Sequence, residues 1–465
     1  MDPGYEEGDP INIERSDMRR AALHNLGCKV NSYETEAMQE MLMEAGYTIV
    51  PFQEEADVYV INTCSVTNMA DAKSRQMIHR ARKKNPEAIV VATGCYVQAS
   101  AKEAASDPAI DIVIGNNKKT RLVQAIDDFC RSRERIREVD PEDPQLDYEQ
   151  LRVSRAAEHT RAFIKVQDGC NQFCSYCIIP LTRGRIRSRS PEDILAEARD
   201  LAALGYQELV LNGIHLSSYG MTSYNRQVAS QEMAGGGHLI ELIEAVAELD
   251  GIKRIRIGSM EPRLVDSAFA RRLARVDKVC PHFHLSLQSG CDDTLRRMNR
   301  KYTTEEFRQA VRVLRENFDH PAITTDVIVG FPQETEEEFE TSRRFLEEIG
   351  FYEMHIFKYS RRRGTVADQM PGQVDEMTKT GRSHILLSLA DRMSEDFRIR
   401  EIGRQTEALM ETRERICGED YWTGFTGEYV RVAVRADERD LGNRLVPGRL
   451  GNFIGETQIL CLEEA

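Results

Sequence analysis

The 465-residue sequence predicts an α/β protein in three parts. These are a doubly wound parallel-sheet domain, a partial barrel of six βα units and a small C-terminal β-barrel. Three observations carry this. Apolar strands alternate with amphipathic helices through the first 130 residues, the pattern of a parallel sheet covered on both faces. A longer series of the same units begins at Ala162, with too few strands for a closed eight-stranded barrel but enough for an open one. The tail switches to short strands separated by Gly, Pro and Asp, as in small β-barrels. Such a length suggests about three domains. The expected bounds are a disordered extension over 1–20, the sheet domain over 21–130, a linker over 131–160, the partial barrel over 161–396 and the tail barrel over 397–465.

Ala21 to Cys28 is strand-like and ends in a Gly-Cys turn, and Glu34 to Ala45 follows with helical periodicity up to Gly46. Val58 to Cys64 and Ala88 to Cys95 repeat the strand, and Ile110 to Gly115 is a fourth without a cysteine. From Arg131 the composition turns charged and rich in Pro, as in a connector. The barrel strands are expected at 163–166, 208–211, 254–257, 282–287, 323–329 and 354–359. Helices fall between them at 194–204, 239–249, 305–317 and 336–348, and 221–237, ending in three glycines, reads as a surface insertion. His384 to Ile402 reads as a linking helix, and 421–425, 429–434 and 458–462 as tail strands.

The totals exclude several classes. No run of eighteen apolar residues appears, so no membrane span is expected. The acidic N-terminus lacks an apolar stretch for secretion, and the expected location is cytoplasmic. Eleven cysteines in a reducing compartment then argue for metal or thiol chemistry over disulfides. A net charge of −14 argues against a general nucleic-acid coat, so any RNA must be met by local basic patches.

The chemistry lies in Cys170, Cys174 and Cys177, three thiols within eight residues directly after an apolar strand. An iron–sulfur cube usually takes four thiolates, so three leave one iron free for a small molecule. A structural zinc loop is the alternative, although zinc normally wants four ligands and no second CxxC pair exists. Cys28, Cys64 and Cys95 each sit just past a different strand. In a parallel sheet those ends share one edge, where ligands bind. They predict a second three-thiolate cluster, while a lone strand-end cysteine would more simply be a small buried hydrophobe.

The CxxxCxxC spacing, with Tyr176 before the last cysteine, resembles the radical S-adenosylmethionine (SAM) signature. Leu26 to Asn31, Asn62 to Thr67, Thr93 to Tyr96, Gln288-Ser289-Gly290, Asp326 to Pro332, and Tyr359-Ser360 with Arg363-Gly364-Thr365 resemble motifs of the radical SAM methylthiotransferases. The resemblance covers nearly all of the chain after residue 20. It implies two [4Fe–4S] clusters, with the Cys170 loop cleaving SAM to a 5′-deoxyadenosyl radical and the strand-end trio presenting a sulfur. Within the family, Gly27-Cys28-Lys29-Val30-Asn31 followed by Glu34-Thr35-Glu36 is similar to the group that modifies threonylcarbamoyladenosine in the tRNA anticodon loop, at position 37. Relatives of the same family act on isopentenyladenosine or on a ribosomal-protein aspartate, and a non-enzymatic iron–sulfur carrier is the reading from another class. An electron donor such as flavodoxin or ferredoxin and a sulfur source are implied as partners.

The resemblance also implies SAM contacts at Asn212, Gly213, Ser259, Glu261, Gln288 and Arg297, although polar strand-end residues equally cap helices. Gln333 stands where the family commonly has Gly, and Asn212 where Thr is frequent. For RNA, Arg183, Arg185, Arg187 and Arg189 alternate, which in an extended segment puts all four on one face. Lys73, Arg75, Arg80, Arg82, Lys83 and Lys84 form a basic helix, and Arg361, Arg362 and Arg363 a third stretch. The tail resembles a TRAM domain, the family's RNA-holding module.

Overall fold

The computed structural model describes residues 20–140, 147–154, 160–221 and 237–464. The expected N-terminal extension and the insertion at 221–237 lie almost wholly outside them, as does part of the linker. The chain divides into two compact units, Met1–Asp143 with Glu149–Leu151, and Pro144–Tyr148 with Arg152–Ala465.

The first unit holds one six-stranded sheet of β1 (Arg20–Asn25), β2 (Thr48–Ile49), β3 (Val58–Thr63), β4 (Ile89–Gly94), β5 (Ile112–Ile114) and β6 (Ile136–Glu138). All pairs are parallel, in the order β2-β1-β3-β4-β5-β6. Side chains alternate across the sheet, so Val58 and Val60 join one core while Tyr59 and Ile61 join another. Helices Lys29–Glu44 and Leu122–Ser132 cover the first face with Met38, Leu42, Ile126 and Phe129. Helix Asn68–Lys84 covers the second with Met77, Ile78 and Ala81. The doubly wound expectation stands. The stretch from 131 is not all linker, because β6 extends this sheet beside β5. Its charged residues suit an edge strand, and that composition hid it.

The second unit begins with β7 (Arg161–Asp168), followed by β8 (Arg187–Ser188), β9 (Glu208–Gly213), β10 (Arg254–Ile257), β11 (His282–His284), β12 (Ala322–Val329) and β13 (Glu353–Lys358). The parallel sets β7-β9-β10 and β11-β12-β13 are joined by the bridges Ile255–Val279 and Met260–Leu285. The six expected strands thus form one open arc, and β8 adds an unexpected antiparallel edge to β7. Phe283, Ile323, Val327 and Met354 pack outward on Phe307, Leu314, Phe345 and Leu346 of the covering helices. Two of those helices start with capping boxes, Thr303 with Glu306 and Thr335 with Glu338. The linking helix is longer than expected, Glu376–Glu401, because Asp375 caps it by accepting from the Thr378 N–H at 2.9 Å.

The tail is a closed barrel of β14 (Gln405–Ile416), β15 (Glu419–Thr426), β16 (Arg431–Arg435), β17 (Leu445–Phe453) and β18 (Leu460–Glu464). It is fastened to β10. Arg254 donates to the carbonyls of Phe425 (3.0 Å) and Glu407, and Arg256 to those of Gly427 (3.0 Å) and Thr426 (3.4 Å). Glu208 on β9 neutralises Arg256 at 2.9 Å, which makes its burial tolerable.

Candidate functional site

In the first unit the three expected cysteines follow β1, β3 and β4. Cys28 is the N-cap of helix Lys29–Glu44, and Cys95 opens helix Cys95–Ala99. Gly94 makes the second turn possible. Its φ is +96°, and a Cβ there would overlap the Thr63 carbonyl, so only glycine fits. Asn31 ties two of the cysteine loops together, donating to the carbonyls of Leu26 (2.7 Å) and Thr63 (3.1 Å). Burial pushes the Cys64 thiol up to about 11, with further upward pushes from Cys95 and Cys28, and a Cβ on Gly27, next to Cys28, would lie 3.0 Å from Cys64 Sγ. Asn116 Nδ2 donates to Cys95 Sγ at 3.8 Å. Lys119 in turn donates to the Asn116 carbonyl at 2.8 Å and pairs with Glu34 at 3.2 Å, both charges fully buried. The chain Glu34–Lys119–Asn116–Cys95 was not foreseen, since nothing in the sequence distinguishes Lys119 from a surface lysine.

In the second unit the loop after β7 gathers Cys170, Cys174 and Cys177 around a cavity of about 120 Å³, also lined by Tyr176, Ser259, Glu261, Gln288 and Arg300. Gly169, at φ +71°, turns the chain into this loop, and a Cβ there would overlap the Arg185 carbonyl. The loop is pinned from outside. Ser175 N–H donates to the Met298 carbonyl (3.0 Å), Ser175 Oγ to that of Arg297 (2.8 Å), and Asn299 Nδ2 to that of Phe173 (2.8 Å). Donors also reach the sulfurs, the Gln172 N–H at 3.4 Å from Cys170 and Arg300 Nη1 at 3.2 Å from Cys174. Burial, and then the neighbouring Cys177 and Cys174, push the Cys170 thiol upward.

The SAM candidates divide. Ser259, Glu261 and Gln288 line the cavity. Burial alone would raise the Glu261 carboxyl, but the His215 hydrogen bond (3.2 Å) and the charges of His215 and Arg300 hold it at about 2. Asn212 and Gly213 end β9 just before Ile214 and His215, which do line the cavity. Asn212 Nδ2 is buried with no hydrogen-bond partner among the described residues. Arg297 is corrected. It forks onto Glu338 at 2.8 and 2.5 Å, and Arg300, three residues on, reaches the cavity instead.

The arginine series is corrected as well. Arg183 is buried on Asp168 (3.1 Å), Arg187 lies 3.8 Å from the same carboxylate, and Arg189 is buried on Glu197. Only Arg187–Ser188 is strand, so the four do not share an open face. Arg185 stacks over the Phe173 ring at 4.4 Å. In the basic helix, Arg82 is drawn down onto the Pro86 and Ala88 carbonyls at 2.7 and 2.8 Å, while Lys73, Arg80 and Lys83 stay exposed. Arg361 pairs with Asp368 at 2.9 Å, and Arg362 is buried.

The donor sets test which group each trio suits. Among the described residues, the groups with ligand atoms within 4.8 Å of one another, the reach of a single ion, are His284–Asp326–His355 and Cys291–Asp293–Glu338. Three thiols with no fourth protein ligand among the described residues suit an iron–sulfur cube with one open iron better than zinc's closed tetrahedron. The polar wall beside the loop trio, Ser259, Glu261 and Gln288, also fits a small polar ligand. Larger clefts of about 460 and 550 Å³ lie elsewhere and carry no thiols.

Comparison with known proteins gives the same class. Residues 164–346 match the Radical SAM superfamily, and residues 20–115 match a family described as "Uncharacterized protein family UPF0004". A Bacillus subtilis (strain 168) protein named threonylcarbamoyladenosine tRNA methylthiotransferase MtaB is 41% identical over 431 residues, covering 91% of this chain and 92% of the relative. The protein of the same name from Aquifex aeolicus (strain VF5) is 37% identical, covering 86% and 95%. A Thermoanaerobacter sp. (strain X514) protein named tRNA-2-methylthio-N(6)-dimethylallyladenosine synthase is 34% identical, covering 84% and 81%. The solved structure of the radical SAM methyltransferase TsrM from Kitasatospora setae shares the fold, with a TM-score of 0.54 at 15% identity over 76% of this chain and 77% of that one. The chain belongs to the family of tRNA methylthiotransferases that these relatives represent, within the radical SAM superfamily.

Proposed function

We propose that this chain is a radical SAM enzyme converting N6-threonylcarbamoyladenosine, at position 37 of tRNA, to its 2-methylthio derivative. The observation that carries the substrate is the 41% identity, over nine-tenths of both chains, to a relative named for that nucleoside. The two cysteine trios support the reaction class. Carbon 2 of adenine has no useful acidity, so acid–base residues alone cannot exchange its hydrogen for sulfur. A SAM-binding [4Fe–4S] cluster supplies the radical chemistry this requires, and a second [4Fe–4S] cluster supplies the sulfur.

Cys170, Cys174 and Cys177 would hold the first cluster, and Cys28, Cys64 and Cys95 the second. Gln172 N–H and Arg300 then stabilise the loop thiolates. Glu261, kept ionised by His215 and Arg300, offers an anionic acceptor for an ammonium group, and Ser259 and Gln288 add neutral polar contacts. Asn212, two residues before Ile214 of that wall, has a donor to spare. The tail barrel, as a TRAM-like module, and the exposed cations of the basic helix are the proposed RNA contacts. An external one-electron donor such as flavodoxin or ferredoxin and a sulfur source complete the partners. Among the described residues no helix is long and apolar enough to cross a membrane. The proposed location is the cytoplasm, where the tRNA substrate is found.

The relatives named for dimethylallyladenosine, at 34% identity, supply the second reading. Nucleoside mass spectrometry of tRNA from a deletion strain and its parent separates the two. Loss of 2-methylthio-threonylcarbamoyladenosine is expected. Loss of the dimethylallyl counterpart instead would overturn the substrate assignment and leave the reaction class intact.

A further inference from the structure

The concave face of the arc carries a second constellation that the reaction above does not use. On β11, β12 and β13, Phe283, Ile323, Val327 and Met354 point outward into the helix-packed core. By alternation His284, Thr324, Asp326 and His355 point the other way. Register sets them side by side, with His284 opposite Thr324 and Asp326 opposite His355. One ligand atom from each of His284, Asp326 and His355 lies within 4.8 Å of the other two. His284 Nε2 and Asp326 Oδ2 are 3.3 Å apart. That is the edge of a tetrahedron with metal–ligand bonds of about 2.05 Å. The other ring nitrogen of His284, Nδ1, lies 3.0 Å from Thr324 Oγ1, the outer hydrogen bond that fixes a ligating imidazole and its tautomer. The His355 ring stacks on His284 at 6.0 Å and is exposed, so the site is open on one side.

We propose that His284, Asp326 and His355 bind one divalent transition-metal ion of the zinc class, separate from either iron–sulfur centre. Two imidazoles and a carboxylate match the borderline-soft preference of zinc, where calcium or magnesium would want oxygen alone. With three protein ligands the ion keeps an open position facing the interior of the arc. The site is close to the cavity along the backbone. Met260, in the cavity wall, bonds to the His284 carbonyl at 2.9 Å, and Gln288 bonds to that of Asp326 at 2.9 Å.

The test uses full-length protein, anaerobically reconstituted with both clusters, titrated with Zn²⁺ by calorimetry. Wild type is expected to bind one equivalent, and the zinc absorption edge to report nitrogen and oxygen neighbours. His355→Gln is expected to weaken binding at least tenfold. Thr324→Val, which releases the His284 ring, should weaken it by about tenfold, with iron and sulfide content unchanged in both variants. A wild type that binds no zinc, a sulfur-only shell at the edge, or equal binding by His355→Gln would each overturn the assignment. The wild-type measurements stand even if a variant fails to fold.

Discussion

The two cysteine trios are assembled by opposite routes. One is spread over three strand ends, from Cys28 to Cys95, and comes together only through the sheet. The other is written into eight consecutive residues and needs only a loop. Yet both are braced alike. In each, one cysteine directly follows a left-handed glycine whose Cβ would overlap a carbonyl, Gly94 before Cys95 and Gly169 before Cys170. Each unit also holds a buried ion pair, Lys119–Glu34 in the first and Arg183–Asp168 in the second. The difference teaches that local spacing brings thiols together, while the surrounding fold must still hold them. A short motif does not remove the need for a scaffold.

The comparison breaks most easily at the sulfurs. Cys170→Ala is expected to abolish both SAM cleavage and methylthio product. Cys64→Ala should abolish product while SAM cleavage persists, and each variant should lose about half of its iron when both centres are four-iron clusters. Deoxyadenosine and nucleoside mass spectrometry, with iron analysis, check this; loss of SAM cleavage in Cys64→Ala would mean the trios are not separable. Next come the braces. Lys119→Met strips the buried Glu34 of its cation and should cost about 3–5 kcal/mol. Arg183→Met should cost less, because Asp168 keeps Lys165 at 2.6 Å. Chemical denaturation under anaerobic conditions ranks the two, and the reverse order would contradict the account. Gly94→Ala and Gly169→Ala each impose backbone strain of about 1–3 kcal/mol, added to their overlaps. Iron loss is expected only from the trio beside the change.

The smallest effect concerns tuning. Arg300→Met removes a cationic donor from Cys174 Sγ and a partner from Glu261. A hydrogen bond to a charged group contributes about 1.5–3 kcal/mol, so SAM cleavage should slow about tenfold or more. The reduction potential of the loop cluster should fall, since positive charge and hydrogen bonds at its sulfurs favour the reduced state. An unchanged potential in a redox titration would remove Arg300 from this role.

Most of the arc was legible because its strands are apolar on schedule. β10 falls where the sequence puts it, at Arg254–Ile257. The strand-end cysteines were legible for a related reason, since residue type and position coincide three times. What failed was partner choice. Alternation says which arginines share a face of one straight strand, but Asp168 and Glu197 capture three of the four, and the sequence gives no measure of that competition. Arg297 and Arg300 look equivalent in sequence, and only the fold brings Glu338, forty-one residues away, onto the first. β14 and β17 were missed because one carries a bulge between Met410 and Thr412 and the other contains Pro447, Gly448 and Gly451. Strand signals weaken at such residues.

The fastening of the tail to β10 has a metrical consequence. Arg254 and Arg256 grip the small barrel, and the same strand runs on directly to Ser259 and Glu261 in the cavity wall. At about 3.3 Å per residue, the chain from Arg256 to Ser259 spans at most about 10 Å. The fastening point and the cavity wall are thus spaced by a stretch of backbone too short to sag. β10 acts as a ruler graduated in single residues, and lengthening it by one would shift one mark against the other by about 3 Å.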